Sequence, residues 1–137
     1  MAEINLMRNY PRSSRQIDLS VEITDEQRRI AREYGKDFFD GDRKYGYGGH
    51  HYNPRFWEQT TRDFRDHYLL TAQSSVLDFG CAKGFMLHDL KRAVPGIKVS
   101  GIDISEYAIT HPEVPEDVRP NLRVGDEKDL SGFRDKE

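Results

Sequence analysis

The chain has 137 residues, enough for one domain and too few for two of ordinary size. Its 36% hydrophobic and 33% charged residues, with seven Tyr, seven Phe and one Trp, exclude disorder through most of its length. A net charge of −3 gives no basis for a nucleic-acid partner, and the single cysteine, Cys81, excludes an intrachain disulfide.

The opening "MAEINLMRNYPRSSRQ" lacks the apolar stretch of a signal peptide, and no run of about 18 apolar residues predicts a membrane span. The expected location is therefore cytoplasmic. Residues 1–22 read as an irregular tail that docks onto the domain. A helix start follows at "TDEQ", where Thr24 caps and Gln27 reaches back. Ile30, Ala31, Tyr34 and Phe38 recur at helical spacing, so one helix is expected to run on until Gly41 ends it.

"DGDRKYGYGGHHYN", residues 40–53, carries four glycines and three tyrosines and reads as a loop. Asn53 and Pro54 then form a cap and first-turn pair for a second helix, with Trp57, Phe64 and Tyr68 on its expected buried face. From Ser75 the period changes. "SVLDF" reads as a buried strand, "GFMLHDLKRAV" as a helix, Pro95-Gly96 as a turn and "IKVSGID" as a second strand. A short helix from Ser105, a proline-punctuated connection over 111–120 and a third strand in "NLRVGD" complete the order. Alternating strands and helices predict crossovers and a parallel sheet. The chain thus divides into the tail (1–22), N-terminal helices with a Gly/Tyr loop (23–73) and a partial α/β domain (74–137).

Ligands of open parallel sheets lie beyond the carboxyl ends of the strands, and here three acids fall there: Asp78, Asp103 and Asp126. Asp103 stands 23 residues after Gly80, close to the spacing at which an acid takes ribose hydroxyls in dinucleotide folds. The full G-x-G-x-x-G fingerprint is absent, because Ala82 and Phe85 occupy glycine positions, and so is the phosphate loop G-x-x-x-x-G-K-[ST]. A nucleoside ligand without phosphates fits this turn better.

"VLDFGCAKG" resembles the first motif of class I S-adenosylmethionine-dependent methyltransferases, D/E-x-G-x-G-x-G, with Ala82 at the middle glycine. "GIDIS" resembles the second motif and "VGDEKDL" the third, so the likeness covers about residues 75–131. "YGYGGHHYNPRFW" is also similar to a segment upstream of the first motif in some uncharacterised members. The resemblance implies a Rossmann-like methyltransferase fold, S-adenosylmethionine as cofactor and an unidentified methyl acceptor. It places Asp78, Gly80, Cys81, Ala82 and Gly84 around the methionine portion and ribose, and Asp103 on the ribose hydroxyls. Ile104 then lies against the adenine, Asp126 accepts from its amino group, and Glu127 adds a backbone contact.

Plainer readings stand beside these. Asp78 can cap the next helix, "GD" at Asp126 is an ordinary turn, and Cys81 reads as a packing residue rather than a nucleophile. No metal site is expected of His50 and His51, and Asp40 and Asp42 are explained by a helix end and a turn. Tyr45 and Tyr47 are a candidate lid, or pack on the second helix. The resembled strand order, 3-2-1-4-5-7-6, continues past strand 1 into strands this sequence does not contain. The expectation is an incomplete fold of about three strands, its open edge covered by a missing C-terminal half, the N-terminal helices or a second copy in a homodimer. The alternative function is a noncatalytic module that binds an adenosyl ligand or another protein.

Overall fold

The computed structural model describes residues 2–12 and 20–133. The part of the tail at 13–19 lies outside the described residues. The elements are α1 (Asp25–Ala31), α2 (Lys36–Asp40), α3 (Pro54–Tyr68), β1 (Ser75–Phe79), α4 (Phe85–Ala93), β2 (Lys98–Asp103), α5 (Glu106–Thr110) and β3 (Leu122–Val124). Two 3₁₀ turns, Arg119–Asn121 and Glu127–Gly132, flank β3.

The strands form a parallel sheet in the order β1-β2-β3. This is the expected open α/β arrangement, Rossmann-like in its alternation of strand and helix. Asp78 pairs in register with Gly101, Phe79 with Ile102, and Asp103 with Val124, which brings the carboxyl ends of the strands to one edge. One sheet face carries the core: Val99 and Leu122 meet Leu87 and Leu90 of α4, Ile109 of α5, and Val114 and Val118 of the connection. On the other face Ser75, Phe79 and Lys98 are exposed, and Leu77 and Ser100 half-buried. Strand β1 was expected to be buried, but it is an edge of the described sheet, and Phe79 is 54% exposed.

The N-terminal part departs from the sequence reading first within its opening helix. Thr24 and Gln27 form the expected capping box, with bonds of 3.1 and 2.9 Å, but the helix stops at Ala31. Tyr34 adopts φ 48°, and the chain restarts as α2 after Gly35. The Ser105 hydroxyl, at the far end of β2, donates to the Tyr34 carbonyl. A contact 71 residues away, invisible to local periodicity, therefore fixes the break.

Helix α3 starts as expected, Asn53 Oδ1 accepting from the Arg55 N–H at 3.0 Å with Pro54 in the first turn. It packs along α4, but its most buried residues are Thr60 and Thr61, both 0% exposed. Trp57 and Phe64 are half-buried and Tyr68 is 61% exposed, so the expected aromatic face is displaced toward the threonines. Small residues let the two helices approach closely. The tail docks on α3: Asn9 Nδ2 donates to Asp63 Oδ2 at 2.6 Å, and the Tyr10 ring lies 4.9 Å from Trp57.

Candidate functional site

The turn after β1 is built from below. The amides of Gly80 and Cys81 both donate to the Ile102 carbonyl, at 2.7 and 3.1 Å, so the chain folds over the end of β2. Such a fold requires glycine at Gly101, where a Cβ would meet Leu122 Cδ2 at 2.6 Å and Cys81 Sγ at 2.7 Å. Gly80 and Gly84 both have positive φ, 87° and 77°, but for different ends. A Cβ on Gly80 would meet nothing within 4 Å, whereas one on Gly84 would press on Leu122 Cδ1 at 2.9 Å. Gly80 keeps open space; Gly84 seats α4 on the core.

Ala82 also has positive φ, 50°, a conformation that costs a non-glycine residue roughly 1–2 kcal/mol. Its N–H donates to Asp103 Oδ2 at 2.7 Å, and Asp103 Oδ1 accepts from the Ser105 N–H at 2.8 Å. Asp103 is thus directed at the glycine turn, 9% exposed, with one backbone donor on each oxygen. Each oxygen keeps a second lone pair.

Asp78 sits differently. Among the described residues no hydrogen-bond donor reaches its carboxylate, and burial, with the nearby Asp103 charge, raises its pKa to about 6. It opens on a cleft of about 670 Å³ between the glycine turn, the Gly/Tyr loop, the start of α3 and the tail. Gly80, Cys81 and Ala82 join Asp78 on one wall. Cys81 is 6% exposed, and burial followed by the neighbouring Asp78 and Asp103 charges pushes its thiol pKa far up. Its place is in the core beneath the turn.

Ile104, Asp126 and Glu127 lie off this cleft. Ile104 is 62% exposed beyond β2. Asp126 caps the 3₁₀ turn after β3, accepting from Lys128 N–H at 2.8 Å, and Glu127 is exposed. Of the two candidate lid tyrosines, Tyr47 lines the cleft and stacks on Phe39 at 5.7 Å, while Tyr45 does not line it. The loop is tied to α2 by Tyr47 N–H to Phe38 O, 2.8 Å, and Gly49 N–H to Phe39 O, 3.0 Å.

Sequence reading missed the group that locks this loop to the turn. Lys83, inside the first motif, is 0% exposed, and its ammonium donates to Asp40 (2.8 and 3.1 Å), the His50 carbonyl (2.6 Å) and Glu113 Oε2 (3.0 Å). Burial alone would raise the Asp40 pKa, but the His50 N–H, Lys83 and the Tyr107 hydroxyl outweigh it and hold the carboxyl well below its ordinary value. His51 Nδ1 meets Glu113 Oε1 at 2.7 Å. Ligand atoms of Asp40, His51 and Glu113 converge within 4.8 Å, the spacing of a metal site. The Lys83 ammonium already bonds both carboxylates there, so it supplies the cation that they need. The one sequence signal was a lysine between two turn glycines, beside an apolar strand.

His50 lines the cleft with its ring stacked on Phe85 at 5.0 Å. Burial, then the Lys83 charge, lowers its pKa to about 4, and its buried Nδ1 has no partner among the described residues. It is a neutral imidazole at physiological pH.

Fold and site together describe an open α/β sheet with a glycine turn and two acids, Asp78 and Asp103, at the carboxyl ends of neighbouring strands. No protein-family model and no curated protein matches the chain. A solved structure described as "Crystal structure of MccD protein" is similar at 28% identity and a TM-score of 0.41, over 50% of this chain and 32% of that one. This chain therefore spans about a third of that protein's length.

Proposed function

We propose that the chain binds S-adenosylmethionine on the carboxyl edge of its sheet and serves transfer of a methyl group to an acceptor held in the adjoining cleft. The observation that supports this most is the meeting of Asp103 with the glycine turn, 2.7 Å from Oδ2 to the Ala82 amide. It sets a carboxylate with spare lone pairs beside a turn whose Gly80 position is open. Asp78, without a donor of its own among the described residues, suits the ligand's ammonium.

When bound, the cofactor supplies an electrophilic sulfonium methyl. The chain's residues have to hold the acceptor in line with that carbon–sulfur bond, and such alignment supplies up to about 7–11 kcal/mol of a barrier.

The test is calorimetric titration with S-adenosylhomocysteine of the natural chain, Asp78→Asn and Asp103→Asn. The expected result is binding by the natural chain and at least tenfold weaker binding by both variants, each checked for its fold by circular dichroism. No binding by the natural chain, or undiminished binding by both folded variants, overturns the reading and leaves a noncatalytic module.

A further inference from the structure

The cleft is larger than the glycine turn, and its far wall has a chemistry of its own. Arg12 of the tail, Arg43 of the loop and Arg55 of α3 surround it, and among the described residues that line it Asp78 is the one carboxylate. That balance opposes the chain, which carries 24 acids to 21 Lys and Arg. Among the described residues, none of the three guanidiniums is in an ion pair. Arg43 donates to the Tyr47 carbonyl at 3.3 Å, and Arg55 lies 5.9 Å from the Phe56 ring centroid. Cations gathered at a concave, half-apolar wall focus a positive potential into it.

The same wall is aromatic. Tyr10 packs against Phe56 at 5.6 Å and Trp57 at 4.9 Å, and all three line the cleft. Aromatic faces rimmed by planar guanidiniums suit a planar ring bearing a carboxylate or phosphate, which arginine can grip through two parallel N–H bonds. A volume of about 670 Å³ is within the range that holds a ligand of drug size.

We infer that the Tyr10–Trp57 wall is the acceptor site, and that the acceptor is a small planar molecule carrying a carboxylate or phosphate, held by Arg12 and Arg55. This rests on the function proposed above and follows from its charges. The methionine end of the cofactor carries one ammonium and one carboxylate. Asp78 answers the first, and Arg43, tied to the loop over the turn, answers the second. Arg12 and Arg55 remain, two exposed guanidiniums on the cleft wall that are free to take an anion the cofactor does not provide.

Trp57 is the only tryptophan, so its fluorescence reports on this wall alone. The probes are 4-hydroxybenzoate and phenyl phosphate, against neutral benzyl alcohol and cationic benzylamine, each titrated with and without S-adenosylhomocysteine. The anionic probes are expected to quench Trp57 at least tenfold more tightly than the other two, and to weaken as salt is raised. Arg12→Gln and Arg55→Gln are each expected to weaken the anions about tenfold and leave S-adenosylhomocysteine affinity, read by calorimetry, unchanged. Equal binding of all four probes, no quenching at millimolar probe, or anion affinity indifferent to both variants overturns the inference. Anion binding without S-adenosylhomocysteine binding would overturn the proposed function while leaving an anion site; the reverse pattern would remove only the acceptor class.

Discussion

Lys83 Nζ lies 2.8 Å from Asp40 Oδ2 and 3.0 Å from Glu113 Oε2, fully withdrawn from solvent. The pair joins the glycine turn of the sheet to the end of α2, 43 residues earlier, and so sets the Gly/Tyr loop as a wall of the cleft. An ammonium has three donors, and Asp40, the His50 carbonyl and Glu113 take them all.

Removing that cation leaves two carboxylates facing each other. Lys83→Met is expected to destabilise the chain by about 3–5 kcal/mol, the cost of breaking a buried pair from one side. Urea unfolding measures it, and hydrogen exchange should show residues 41–53 losing protection before the sheet does. A loss below 1 kcal/mol would mean that the loop is held by its backbone bonds to α2 instead.

Asp78 and His50 give opposing pH dependences. The Asp78 pKa is raised from 3.8 to about 6, so its contribution is fully favourable below pH 3.8 and is lost as pH rises to 6. Asp78→Asn should therefore be more stable than the natural chain at pH 7, by about 1–3 kcal/mol, with the difference vanishing below pH 4. His50, lowered from 6.5 to about 4, contributes stability above pH 6.5 that is lost as pH falls toward 4. Thermal melts across pH 3.5–7.5 read the first effect, and the His50 imidazole proton shifts read the second. A His50 titration midpoint near 6.5 would contradict its burial.

The two turn glycines should separate stability from binding. Gly84→Ala meets both a positive φ and the Leu122 side chain, and is expected to cost about 2–4 kcal/mol. Gly80→Ala carries the φ cost alone, roughly 1–2 kcal/mol, yet should weaken S-adenosylhomocysteine more, because its methyl enters the open side of the turn. Equal loss of stability in the two variants would contradict this division.

Cys81 should be inert in the folded chain. Its thiol is buried and held protonated by burial and two carboxylates, so a thiol reagent at pH 8 is expected to react only as the protein unfolds. Labelling that keeps pace with a free thiol in native buffer would place Cys81 on the surface.

Local chemistry by itself determined much of this protein: the Thr24 capping box, the Asn53-Pro54 helix start, all three strands and the alignment of Asp78 and Asp103 at their carboxyl ends. Those features depend on residues a few positions apart, or on a side-chain period that registers burial directly. Only the tertiary structure decided the break at Tyr34, the burial of Thr60 and Thr61 in place of Tyr68, the separate duties of Gly80 and Gly84, and the Lys83 clamp. Each of these depends on atoms brought together from distant parts of the chain. A buried lysine reads in sequence like a solvated one until its carboxylates arrive from 43 residues before it and 30 after.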